Sequence, residues 1–247
     1  MEAKRKYALL LCAEDSEYVK NEYGGYLKVF MGLLEEEGED WEAYRAARGE
    51  LPTDGDVESY DGFVISGSCS DAHGDEDWIK NLIEFVRRLN ARKKKVLGVC
   101  FGHQIIGRAL GGKTGRALKG WDIGVTTLHL SSSLSKFFSP LDAPPQLSLI
   151  ECHRDEVLEL PPFVEVLARS EKTGIEMFKC DDHIMGIQGH PEYTKGILLH
   201  LVDRLFDSNL IEKSHAENVK KELNEREPDR EAWERLCRVF LKGKLSQ

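Results

Sequence analysis

Short apolar runs alternate with helix-spaced apolar faces through the first half of the chain. Tyr7–Ala13 is a seven-residue run that reads as a buried first strand. Leu27, Phe30, Met31 and Leu34 fall at i, i+3, i+4 and i+7, the stripe of a helix. Phe63–Ile65 is a second buried strand and ends in Ser66-Gly67-Ser68. Trp78, Leu82, Phe85, Val86 and Leu89 form another helical face, with the cationic run Arg92–Lys95 at its C-terminal end, where positive charge suits the helix dipole. Val96–Val99 is the next strand, and Gln104–Leu110 reads as a helix that stops at Gly111-Gly112. Strand and helix in alternation imply right-handed crossovers and a parallel sheet covered on both faces.

The second half changes character. Ile123–Leu130, Gln146–Glu151, Phe163–Ala168, Ile175–Lys179 and Ile184–Gln188 are short and strand-like, with turns between them, so antiparallel pairing is expected here. Ile197, Leu198, Leu201, Val202 and Leu205 mark a helix. From His215 the chain is highly charged but keeps Trp233, Leu236, Cys237 and Phe240 on one face, an amphipathic helix expected to pack on the body rather than to bind a partner. No repeat, low-complexity segment or Pro/Gly linker interrupts the pattern. The expectation is one domain over 1–247, with a core at about 10–210 and a helical extension over 211–247.

Composition narrows the function. Charged residues at 31% and apolar residues at 41% describe a soluble globular chain. Tyr7–Ala13 falls far short of the roughly 20 residues that a bilayer span needs, so no membrane association is expected. The formal charge of −9 argues against a phosphate-binding surface and hence against nucleic acid. Met1–Lys6 followed by Tyr7–Ala13 loosely resembles a signal peptide, yet no small-x-small cleavage site follows and no Asn-x-Ser/Thr sequon occurs. The six cysteines (12, 69, 100, 152, 180 and 237) are widely spaced, with no C-x-x-C pair, and the histidines form no H-E-x-x-H. Reduced thiols, no metal and a cytosolic setting are expected.

The strongest chemical signal is Gly98-Val99-Cys100-Phe101-Gly102-His103-Gln104. A buried strand runs directly into a cysteine and a helix starts after it, which exposes a nucleophile at the C-terminal edge of the sheet. The helix N-terminus is expected to favour the thiolate of Cys100. A thiolate nucleophile needs a base held by a third group. Gly189-His190-Pro191-Glu192, at the end of the last strand-like run, supplies both: His190 as base and Glu192 as the group that orients it. Gly67 and Ser68 follow another parallel strand at the same edge. Their backbone N–H groups, with that of Phe101, are candidates for an oxyanion hole.

Gly-Val-Cys-Phe-Gly-His-Gln with the later Gly-His-Pro-Glu resembles the class I, triad-type glutamine amidotransferase family, over about residues 10–210. The resemblance implies a flavodoxin-like, doubly wound α/β fold, its mostly parallel sheet flanked by helices and carrying a small antiparallel portion. It implies a Cys100-His190-Glu192 triad, a γ-glutamyl thioester and no cofactor. Gln104 and Cys152–Asp155 match positions that bind the glutamyl α-amino and carboxylate groups, and Gly120-Trp121 resembles the family's substrate loop. Two positions depart from the family pattern. Ser66-Gly67-Ser68-Cys69 replaces Ser-Gly-Gly-Pro, and His153-Arg154-Asp155 replaces His-Gly-Asp, which sets a cation, Arg154, near the substrate end. The full-length pattern, charged tail included, is similar to the plant cytosolic γ-glutamyl peptidases, which act on glutathione conjugates, including intermediates of glucosinolate synthesis. That similarity implies small γ-glutamyl substrates and no obligatory synthetase partner. The alternatives are a glutaminase subunit that supplies ammonia to a separate synthetase and a non-catalytic binding module.

Overall fold

The computed structural model describes residues 4–137 and 144–243. In the first half, β1 (Lys6–Leu10) leads through α1 (Glu17–Tyr23) and α2 (Tyr26–Leu34) to β2 (Asp40–Tyr44). β3 (Gly62–Ile65), α3 (Asp77–Ala91), β4 (Lys95–Val99) and α4 (Phe101–Ala109) follow. The second half runs β5 (Lys113–Arg116), β6 (Asp122–Leu130), α5 (Ser132–Phe137), β7 (Gln146–His153), β8 (Asp155–Glu159), β9 (Glu165–Arg169), β10 (Met177–Cys180) and β11 (Ile184–Ile187). Three helices close the chain: α6 (Lys195–Asp207), α7 (Lys213–Glu225) and α8 (Arg230–Lys242).

Among the described residues, nine strands form one sheet in the order β2-β1-β3-β4-β11-β10-β9-β6-β7. From β2 to β11 neighbouring strands are parallel; from β11 onward each pair is antiparallel. β5 and β8 form a separate antiparallel ribbon. The fold is the doubly wound, mostly parallel α/β architecture expected, with antiparallel pairing confined to the second half.

Alternation along the parallel strands sends side chains to two buried faces, so each strand reads as a continuous apolar run. Ala8, Leu10, Phe63, Ile65 and Val96 face α3 and α4. Tyr7, Leu9, Val64, Leu97 and Val99 face α2 and α8, where Phe30, Leu33, Trp233, Leu236 and Phe240 meet them. The charged tail therefore packs on the body, as expected, although it forms two helices. α7 ends at Glu225, and Pro228 stands before α8. α6 and α7 cover the antiparallel end through Ile197, Val202, Val219 and Leu223.

α4 lies unusually close to the sheet. A Cβ at Gly98 would collide with the Gly102 backbone and with Ile106, and one at Gly102 would strike the Ile65 carbonyl. These two glycines let the helix begin directly over the strand ends and fix where residue 100 points.

Candidate active site

Cys100 stands at the junction of β4 and α4 with φ 52° and ψ −103°, a conformation that an L-residue seldom adopts. Such a residue carries about 1–3 kcal/mol of strain and persists only where its surroundings hold it. Two backbone bonds do so. The Cys100 N–H donates to the Ile187 carbonyl at 2.9 Å, and the Gln104 N–H donates to the Cys100 carbonyl at 3.1 Å. The first ties the turn to β11, the strand that leads into Gly189–Glu192.

His190 and Glu192 are 3% and 1% exposed. Their link is short: His190 Nδ1 and Glu192 Oε1 lie 2.8 Å apart. Because a carboxylate only accepts, Nδ1 carries the hydrogen and Nε2 is left with a lone pair. The imidazole stacks on Tyr193 with centroids 3.9 Å apart and planes 5° from parallel. The His190 N–H donates to the Ile150 carbonyl at 2.7 Å, which docks the turn on β7. Gly67 lies against both the His190 and Cys100 side chains: a Cβ there would sit 3.0 Å from His190 Cε1 and 3.7 Å from Cys100 Cβ.

Cys100 is 6% exposed, and burial pushes its pKa well above the ordinary thiol value. Cys152, Glu151 and Glu192 add to the rise, and the Phe101 backbone N–H opposes it. Desolvation outweighs the opposing backbone N–H in this balance.

Every site residue expected above borders one cleft of about 680 Å³, within the range of small-ligand sites: Cys100, His190, Glu192, Gly67, Ser68, Phe101, Gln104, Trp121, Arg154 and Asp155. Their engagements differ. Gln104 Nε2 already donates to the Asp155 carbonyl at 2.8 Å and to Gln188 Oε1 at 3.1 Å, so its amide nitrogen braces the wall. The Asp155 carboxylate is ion-paired with Arg116 at 2.7 Å and lies 3.5 Å from His73. Burial still raises the Asp155 pKa, with Arg116 pulling it down. Trp121 Nε1 is a buried donor without a partner among the described residues. Arg154 is exposed, and no carboxylate lies within 4.0 Å of its guanidinium among the described residues. Ser68 Oγ accepts from the Ser70 N–H at 3.1 Å, which folds the turn after Gly67.

Sequence reasoning missed three neighbours. Tyr193 follows the His-Pro-Glu turn directly and was within reach of the pattern. Arg204 borders the cleft from α6. Arg230, at the start of α8, aims Nη1 at the carbonyls of Pro191, Glu192 and Tyr193, at 3.4, 3.1 and 3.0 Å. No local sequence signal marks it, because the contact spans the whole of α6 and α7.

The glutamine amidotransferase class-I family model matches residues 23–204. "Gamma-glutamyl peptidase 3" of Arabidopsis thaliana is 48% identical over 246 residues, spanning 98% of this chain and 99% of that protein. "Gamma-glutamyl peptidase 5" of the same plant is 46% identical, over 99% and 98%. A crystal structure of a glutamine amidotransferase from Thermotoga maritima superposes with a TM-score of 0.74 at 19% identity, covering 98% of each chain, a likeness of fold. Family model, full-length relatives and fold agree, and the chain belongs to the class-I glutamine amidotransferase family.

Proposed function

We propose that the protein is a cysteine hydrolase that cleaves the γ-glutamyl amide bond of small γ-glutamyl peptides, with glutathione S-conjugates as its substrate class. The observation that carries this reading is the full-length similarity to named γ-glutamyl peptidases, joined to a cleft bordered by Cys100, His190 and Glu192. Glu192 holds His190 through Nδ1, which leaves Nε2 to act as base. The buried thiol gives its proton to Nε2 as the sulfur attacks the γ-carbonyl carbon. The carbonyl π electrons move onto oxygen, and the N–H groups at Gly67, Ser68 and Phe101 stabilise that oxyanion. Collapse breaks the C–N bond, His190 returns the proton to the departing amine, and a γ-glutamyl thioester remains on Cys100. Water, deprotonated by His190, then releases glutamate and restores the thiol.

All γ-glutamyl amides present the same α-amino and α-carboxylate groups, so discrimination falls on the leaving-group side. Arg154 suits the second carboxylate of a tripeptide because it borders the cleft and has no carboxylate partner among the described residues. The proposal sets the activity in cytosolic glutathione metabolism, including the sulfur chemistry of glucosinolate synthesis, and the six free cysteines suit a reducing compartment. No described helix is long and apolar enough to cross a membrane.

The test is to trap the intermediate. Protein mixed with a glutathione S-conjugate, quenched in acid and mapped by mass spectrometry should carry a γ-glutamyl adduct on Cys100. An adduct confined to Cys69 or Cys152, or glutamate release with no cysteine adduct, would overturn this assignment.

A further inference from the structure

Behind the His-Pro-Glu turn lies a polar cluster that the proposed reaction does not use. Glu151 and His153 stand two residues apart on β7 and so share a face, and Glu176 immediately precedes β10. Glu151 and Glu176 are fully buried and His153 is 4% exposed. Among the described residues, both oxygens of Glu151 and Nε2 of His153 lack a hydrogen-bond partner, and the Glu176 carboxylate has only the Ser170 hydroxyl beside it. One ligand atom from each residue lies within 4.8 Å of the other two. Buried polar atoms are almost always paired, so orphans gathered beside a second buried carboxylate require a counterpart.

The tautomer of His153 narrows what that counterpart is. Its Nδ1 lies 3.0 Å from the Asp155 carbonyl, which only accepts, so Nδ1 bears a hydrogen. A neutral His153 then turns an Nε2 lone pair toward Glu151 Oε2, 3.4 Å away, where two lone pairs would repel. An imidazole held by a carbonyl at Nδ1 and open at Nε2 is the form in which histidine ligates metals.

We propose that Glu151, His153 and Glu176 bind one divalent transition-metal ion of the Zn²⁺ type, in a structural site distinct from the catalytic cysteine. One imidazole nitrogen and two carboxylates, each able to give one oxygen or two, make a suitable donor set. The position gives the ion a purpose. The Gln188 N–H donates to the Glu176 carbonyl at 2.7 Å, the His190 N–H donates to the Ile150 carbonyl at 2.7 Å, and a Cβ at Gly189 would fall on the Glu151 carboxylate. An ion there ties β7 to the start of β10 directly behind residues 188–190 and stiffens the turn that carries His190. The competing arrangement is a proton shared among the same groups, which takes up no metal.

The test uses full-length protein carrying Cys100→Ala, which removes the active-site thiol as an alternative zinc ligand. After equilibration with Zn²⁺ and desalting, about one zinc per chain should remain and Tm should rise by about 5 °C or more, reversed by a chelator. Glu176→Gln and Glu151→Gln, each added to that background, should lower zinc retention about tenfold or more. X-ray absorption at the zinc edge should find only oxygen and nitrogen neighbours, a readout that does not depend on the variants folding. Sulfur in the zinc shell, retention undiminished in both glutamine variants, or protein that holds no zinc and shows no Tm change would overturn the site.

Discussion

That Cys100, His190 and Glu192 border one cleft was legible in the sequence because each sits in a short local motif whose geometry follows from a strand end. The upward pull of burial on the Cys100 pKa was not legible. It depends on how much protein closes over the sulfur, and Cys152 and Glu151, which help raise its pKa, come from β7, about 50 residues away along the chain. Gly67 offers a test at the same scale. Its backbone has no left-handed φ, so alanine is tolerated there conformationally, yet the new methyl would press on His190 Cε1 at 3.0 Å. Gly67→Ala should lower kcat by about tenfold or more while leaving Tm within a few degrees, because small displacements of an acid–base group are costly to rate and cheap to stability. Steady-state kinetics with a melting curve checks this; unchanged kcat would mean that His190 has slack in its seat.

At the level of elements, the apolar core strands and the helices with a full apolar face matched the pattern closely. β2 (Asp40–Tyr44) was missed because it is an edge strand, partly exposed, whose charged positions break any apolar run. β5 and β8 were missed for a like reason: Lys113–Arg116 holds no large apolar residue and pairs only in a two-stranded ribbon. α7 buries just Ala216, Val219 and Leu223, too thin a stripe to separate it from the charged tail. α8 does more than pack, since Arg230 fastens its start to the His-Pro-Glu turn. Arg230→Met should lower kcat more than it raises KM, with recovery in Arg230→Lys; an equal loss in both variants, with lowered Tm, would assign it to folding alone. α4 carries a pH signature. His103 is fully buried, and burial pushes its pKa down to about 3 against the backbone at Gly186 and Ile175, which pulls it up. The unfolded chain binds that proton near the ordinary histidine pKa of about 6.5, so this contribution is complete above about pH 6.5 and is lost as pH falls toward about 3. Between about pH 6.5 and 5 the loss is about 2 kcal/mol. Denaturant titrations at the two pH values should give a smaller difference for His103→Gln than for the native chain; equal differences would mean that His103 is not the group responsible.

For the molecule as a whole, the alternation of strand and helix in the first half specified a parallel sheet, because consecutive buried strands can be joined only by crossovers on its two faces. The order of the antiparallel strands was not readable, since short strands separated by turns admit several pairings and only the packed sheet selects β10-β9-β6-β7. The same packing assembles one cleft from segments as distant as Gly67 and Arg204, with a volume that holds more than a single amino acid. That size and the full-length relatives support the proposed reading of a γ-glutamyl peptide as substrate. The most direct measurement is release of free glutamate by the purified protein from a glutathione S-conjugate, run beside ammonia release from glutamine, for the native chain and for Cys100→Ala. We expect the conjugate to be cleaved with kcat/KM at least about tenfold above that for glutamine, a difference of about 1.4 kcal/mol in transition-state binding, and both activities to vanish in Cys100→Ala. Hydrolysis of glutamine with no cleavage of the conjugate, or glutamate release that survives the loss of the Cys100 thiol, would contradict it.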